Sequence, residues 1–485
     1  MDAALRRAVG TTLMPGFAGP ALPDWLADEL GRRLGGVCLF GTNVETPEQV
    51  RGLTEAIHAA NPDAVVCVDE EGGDVTRLHH AEGSPYPSMA LLGRIDDELL
   101  TERVGRGIGA ELRAAGVDLD LAPVADVNSN PRNPVIGVRS FGADAALVGR
   151  HVAAYTRGLQ SAGVGAVAKH FPGHGDTAAD SHLALPTIEV DAAELAARDL
   201  PPFEAAVAAG TLAVMTSHLM VPALDAELPA TFSGRILGLL RERGFTGAIV
   251  SDALDMAGAS GGRGIPEAAV LALAAGVDLL CIGSDNSPDE VAAIREHVLA
   301  AVAAGRLSVE RVHEAAGRVR ALAREVGRLR SGPAGPLEEP PRPDPEWLWH
   351  RRPFGPVVAP VLLRLASPAN IAAGEVVWGL GEHLRAELDA ALPGATCVDV
   401  QHPTRAASAL APYPGRPIVV QGRDLARVGS LREGVRQVRA QRPDAIVVDL
   451  GWPEFAGPPR LDVATFGAGR ASALALIALL AEGSR

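Results

Sequence analysis

One pattern in the first two thirds of this 485-residue chain restricts its fold more than any other feature. A short, continuously apolar, β-branched run ends in Gly or polar residues, and an Ala/Leu/Arg-rich stretch of helical period follows. The theme recurs eight times, with runs at 10–14, 36–40, 64–69, 119–124, 165–170, 212–218, 248–252 and 278–283. Runs such as AVVCVD and LAVMTSH have no polar face, as expected of strands buried on both sides of a parallel sheet. Helical stretches at 47–60, 96–115, 145–162, 192–209 and 266–275 separate them. Alternation of strand and helix predicts a parallel α/β sheet, and eight strands predict a (β/α)8 TIM-like barrel over residues 1–330.

The pattern then breaks. Residues 331–345 carry six prolines, at 333, 336, 340, 341, 343 and 345, and are expected to form a semi-extended linker. Beyond it a second alternation begins. EVVWGL, TCVDV, PIVVQG and AIVVDLG are expected strands, and 424–441 and 469–481 expected helices. Residues 346–485 are read as a smaller three-layer α/β domain with no chemistry of its own.

Composition excludes several classes. Lys and Arg number 44 against 59 Asp and Glu, a formal charge of −15, whereas a phosphate-backbone binder needs a basic face. Neither nucleic acid nor a membrane surface is an expected partner. No stretch reaches the ~18 uninterrupted apolar residues of a spanning helix, and the N-terminus lacks a leader pattern. The expected location is the cytoplasm. The cysteines, Cys38, Cys67, Cys281 and Cys397, form no CxxC pair; the first three lie in apolar runs and are expected to be buried core thiols. No metal and no cofactor is implied, and the oligomeric state is open.

In a barrel, function collects at the carboxyl ends of strands. Here those ends carry Asp69, Glu70 and Glu71; Asp126, Arg132 and Arg139; Lys169, His170, His174, Asp176, Asp180 and His182; His218; and Asp252 and Asp255. Ionisable groups directly after buried strands are costly unless paired or used. Residues 169–186 are the richest. Gly173 and Gly175 are expected to permit unusual backbone angles, giving a long loop on the barrel rim. Within it Asp180 and His182 are two apart, close enough for the carboxylate to orient the imidazole for proton transfer. A zinc site built from His170, His174 and His182 is disfavoured by Lys169 and by the lack of a helical HExxH arrangement.

KHFPGHGDTAADSHLALP resembles the signature of the β-N-acetylglucosaminidases of glycoside hydrolase family 3. VDEEGGDVTRL, NPVIGVRSFG and SDALDM match the same family, in family order, over residues 5–330. Its two-domain bacterial members also carry a second α/β domain. The resemblance implies a retaining hydrolase of a small saccharide, with Asp252 as nucleophile, His182 as acid/base and Asp180 orienting it. Asp69, Arg77, Arg139, Lys169 and His170 are then implied to hold the sugar hydroxyls and the N-acetyl group. A retaining glycosidase needs a carboxylate beside the anomeric carbon and a proton donor on the leaving oxygen, and AIVSD supplies the first at a strand end.

The implied activity is exo-β-N-acetylglucosaminidase action on muropeptide fragments in cell-wall recycling. A histidine donor would not repel a phosphate dianion, so a phosphorylase on the same scaffold is the alternative. A β-glucosidase and a non-catalytic sugar binder rank below it. Two positions depart from the family pattern: Glu70 stands where Gln is usual and Asp74 where Arg is usual. Both are expected to add negative charge beside the site, altering what binds beyond the terminal sugar.

Overall fold

The structure is a computed structural model that describes residues 2–178, 185–333, 338–368, 370, 372–374 and 376–484. The chain divides into two compact units that are not sequential. The first comprises Met1–Glu70, Glu98–Ile136 and Gly142–Glu339; the second comprises Glu71–Asp97, Gly137–Phe141 and Pro340–Arg485.

Among its described residues the first unit holds eight strands: β1 (Leu13–Met14), β2 (Gly36–Leu39), β3 (Val65–Val68), β4 (Leu119–Asp120), β5 (Gly165–Phe171), β6 (Ala213–Thr216), β7 (Ala248–Val250) and β8 (Leu280–Cys281). β2 to β7 form a parallel sheet in sequence order, and β1 pairs with β8, also in parallel. Backbone bonds continue past the paired strands. Cys38 N donates to Pro15 O at 3.0 Å, and an isolated parallel bridge joins Val250 to Leu279. The first run is shorter than expected: residues 10 and 11 finish a helix, Ala3–Thr11, whose first turn is capped by the Asp2 carboxylate. The expected helix at 192–209 is split into Ala192–Arg198 and Pro201–Ala208, because Pro201 and Pro202 cannot continue a preceding helix.

The side-chain period of two sets the interior. Cys38, Val65, Cys67, Leu119, Leu121, Val167, Ala213, Met215, Ala248, Val250, Leu279 and Cys281 belong to one buried cluster, which Val319, Leu322 and Val326 of the helix Val309–Ser331 complete. Cys38, Cys67 and Cys281 are thus buried core thiols, and burial pushes the Cys67 thiol well above its ordinary pKa.

The second unit holds β9 (Trp349–His350), β10 (Val361–Leu365), β11 (Thr396–Val400), β12 (Ile418–Gly422), β13 (Ile446–Asp449) and β14 (Val463–Ala464), in the order β11-β10-β12-β13-β14-β9. All pairs are parallel except β14 with β9. Three expected strands are present as β11, β12 and β13. EVVWGL is not a strand among its described residues: Val377 N donates to His80 O, and Gly379 N to Ala468 O, outside any ladder. β10 takes its place in the sheet. Among the described residues no helix is long and apolar enough to cross a membrane.

Candidate active site

Three of the expected site residues lie at the carboxyl ends of first-sheet strands: Asp69 directly follows β3, Lys169 lies in the last three residues of β5, and Asp252 stands two residues after β7. Lys169 is 1% exposed, and its Nζ donates to Asp69 Oδ1 at 2.6 Å. Asp252 is half-buried, and its Oδ1 accepts from the Ala253 amide at 2.8 Å.

β5 runs through Phe171, so Lys169 and His170 belong to a buried strand rather than to a rim loop. Asp126, which sequence reasoning left without a role, organises this region. Its Oδ2 lies 2.7 Å from His170 Nδ1, and its Oδ1 accepts from the His170 and His174 amides at 3.2 and 2.7 Å. The His170 and His174 rings meet edge to face, 6.1 Å apart. Burial pushes His174 down to about 4, with Asp126 opposing, so this imidazole is neutral at physiological pH. Asn133 Nδ2 donates to the His174 and Gly175 carbonyls at 2.8 and 3.1 Å.

Gly173 has the positive φ expected of it, at +126°. Gly175 does not; a Cβ there would stand 1.7 Å from Val127 O, so close backbone approach is what requires glycine. Asp176 pairs with Arg198 at 3.0 Å. Asp180 and His182 lie outside the described residues. His218 is a satisfied buried residue: Nδ1 lies 2.9 Å from Thr231 Oγ1, and Nε2 lies 3.0 Å from the carbonyl of Ala253, the residue after Asp252.

Asp120 is a second residue that sequence reasoning passed over. Its Oδ1 accepts from the Glu70 amide at 3.0 Å. Burial pushes its carboxyl well above the ordinary range, with the Glu70 amide opposing and the Glu70 charge adding to the rise.

Arg139 and Arg77 belong to the second unit. Arg139 forms a two-pronged pair with Glu71, Nε to Oε2 at 2.9 Å and Nη2 to Oε1 at 2.7 Å, both side chains buried. Arg77 Nη1 and Nη2 donate to the Ala373 and Ala372 carbonyls at 3.1 and 2.8 Å. The two positions that depart from the family pattern are both buried: Glu70 is 1% exposed and Asp74 7%. Asp74 Oδ1 accepts from the Ala468 amide at 2.6 Å. Among the described residues no group of three or more His, Cys, Asp or Glu side chains has a metal-holding arrangement.

Residues 21–322 match the family model for the glycosyl hydrolase family 3 N-terminal domain. A β-hexosaminidase of Methylobacillus flagellatus is 39% identical over 293 residues, covering 56% of this chain and 82% of that protein. A family 3 β-N-acetylglucosaminidase from Paenibacillus sp. str. FPU-7 superposes with a TM-score of 0.87 at 32% identity, over 98% of this chain and 96% of that one. NagZ from Neisseria gonorrhoeae, solved with N-trifluoroacetyl-D-glucosamine, gives a TM-score of 0.54 at 34% identity, over 66% of this chain and 98% of that one.

Proposed function

The chain belongs to glycosyl hydrolase family 3, and from that premise we propose that it is a retaining exo-β-N-acetylglucosaminidase acting on terminal GlcNAc of muropeptide-like saccharides. It is a glycoside hydrolase of the β-N-acetylhexosaminidase class, as its relatives are named. The observation that supports the finer reading is the placing of Asp69, Lys169 and Asp252 at the carboxyl ends of β3, β5 and β7, with the Lys169 ammonium on the Asp69 carboxylate.

In this reading Asp252 attacks the anomeric carbon, and the leaving oxygen takes a proton from His182, oriented by Asp180. Water then returns along the same path, with His182 as base. The carboxylates that could replace His182 are otherwise engaged: Glu71 by both prongs of Arg139, and Asp176 by Arg198. A neutral His174 beside Asp126 adds no cation to compete for Asp252. Lys169 and Asp69, with His170 held by Asp126, bind sugar hydroxyls through charge-assisted hydrogen bonds. Arg77 and Arg139 are further donors to the sugar in the same reading. The β1–β8 pair and the Val250–Leu279 bridge support closure of the eight strands into a (β/α)8 barrel. Residues 346–485 contribute no reacting group. The place of action is the cytoplasm, in cell-wall recycling.

The test is a leaving-group series. Parent and His182→Ala are assayed on aryl β-GlcNAc substrates of graded phenol acidity and on a GlcNAc disaccharide, with and without phosphate. Loss of the donor should spare acidic phenols and abolish disaccharide cleavage, so the variant's rate depends more steeply on leaving-group pKa. Equal loss on every substrate would remove His182 from the acid role. GlcNAc-1-phosphate as the main product would replace hydrolysis by phosphorolysis.

A further inference from the structure

In the second unit, the chain leaves β10 for β11 on one side and crosses to β12 on the other. The strand order therefore reverses between β10 and β12. In doubly wound sheets the crevice outside the carboxyl ends at such a reversal receives the ligand. Here that edge is filled by the unit's own segment Glu71–Asp97.

The contacts come from the segments that follow β10, β12 and β14. From the loop after β10, Ala372 and Ala373 carbonyls hold the Arg77 guanidinium, and the Val377 amide donates to His80 O at 3.3 Å. From the end of β12, Arg423 is 9% exposed, and its Nε lies 3.7 Å from Asp74 Oδ2. The same guanidinium lies 4.6 Å from the Trp378 ring centroid, and its backbone amide donates to Ser367 Oγ at 2.9 Å. From the loop after β14, the Ala468 amide donates to Asp74, and the Phe466 carbonyl accepts from Ser88 Oγ. Contact is too close for side chains at two places: a Cβ on Gly469 would stand 2.6 Å from Gly73 O, and one on Gly467 2.6 Å from Ser88 Oγ. Leu91 completes the attachment by joining the apolar cluster of Leu362, Leu380 and Val419.

We propose that the carboxyl edge of the second sheet has exchanged a free ligand for this internal segment, and that Asp74 and Arg423 are positioning residues that set Arg77 and the Glu71–Arg139 pair for sugar binding. This rests on the reading of Arg77 and Arg139 as sugar ligands. It gives Asp74 a task its family-typical counterpart, a cation, would not perform opposite Arg423. The pair touches no reacting atom, so its effect is on binding rather than on bond cleavage.

The experiment uses the full-length chain with Asp74→Asn, Arg423→Gln, the double variant and Arg423→Lys. The amide introduced by Asp74→Asn keeps an acceptor for the Ala468 N–H while removing the charge opposite Arg423. On 4-nitrophenyl β-GlcNAc each of the first two should raise KM, and the inhibition constant of GlcNAc, by about tenfold, with kcat within about twofold. The double variant should be no worse than the weaker single, as for a pair acting as a unit. Arg423→Lys, which keeps the charge, should recover part of the loss. Unchanged KM and GlcNAc inhibition with only a lower melting temperature would overturn the proposal. Hydrogen exchange separates this from failure of the enzymatic reading. If the parent turns over no aryl GlcNAc, faster exchange confined to 71–97 in Asp74→Asn still supports the positioning of this segment by Asp74 and Arg423, and unchanged exchange there refutes it.

Discussion

Replacing Lys169 by methionine tests whether the buried cation beneath the site is structurally compulsory. Lys169 is 1% exposed, and its ammonium lies 2.6 Å from Asp69, whose side chain keeps 18% exposure. Asp120 and Glu70 add further carboxyls to the same neighbourhood. Removing one partner of a buried pair costs about 3–5 kcal/mol, because the other charge is left uncompensated. The residual solvent access of Asp69 places this case at the lower end, about 3 kcal/mol at pH 7.5. An uncompensated carboxylate is relieved by protonation, so it costs stability where the unfolded chain would be ionised and less as pH falls toward the ordinary carboxylate range. The loss should shrink to about 1 kcal/mol at pH 4.5. Methionine keeps an apolar stem of similar length, so a cavity contributes little. The assay is native-state hydrogen exchange of the β5 backbone amides at positions 167 and 169, which donate to the Ala122 and Pro123 carbonyls. Asp69→Asn in the same chain should restore most of the loss. A loss equal at both pH values, or a double variant as unstable as the two singles summed, would refute the charge argument.

Asp252→Asn keeps the acceptor for the Ala253 amide, so it should fold normally while kcat on 4-nitrophenyl β-GlcNAc falls by about a thousandfold or more. A 5-fluoro sugar should label the parent on the peptide containing Asp252; a label elsewhere moves the nucleophile. His174 is neutral in the fold down to about pH 4, whereas the unfolded chain takes its proton near 6.5. Folding stability should therefore fall from pH 6.5 to 4, by roughly 3 kcal/mol for this group, and His174→Gln should flatten that part of the acid profile in denaturant titrations. Gly175→Ala forces a methyl to within 1.7 Å of the Val127 carbonyl. It should cost about 3 kcal/mol or more, read as a lower melting temperature together with lost activity; a neutral outcome would mean that the backbone shifts freely there.

The strand and helix alternation was legible because strands buried on both faces are continuously apolar and helices are not, a contrast that needs no tertiary information. The same runs already put Asp69, Lys169 and Asp252 at the carboxyl ends of strands. Local chemistry also marked Gly173, where a positive φ is needed, but the need at Gly175 arises from Val127, 48 positions earlier in the chain. The two-residue strands β9 and β14 carry too few residues to show a period, and EVVWGL has strand composition but spends its amides on His80 and Ala468 instead. Asp126 read as one more acid at a strand end and Asp120 lay unremarked inside an apolar run; only packing brings the first against His170 and His174 and sets the second on the Glu70 amide. Asp74 is the clearest case. By sequence it is an acid added beside a sugar site, whereas the fold places it on Ala468 and Arg423, both more than 300 residues away along the chain. Sequence determined which side chains can carry charge and that they collect at the carboxyl ends of strands. Which charges meet, and which remain for a substrate, was decided by contacts between segments that no local period encodes.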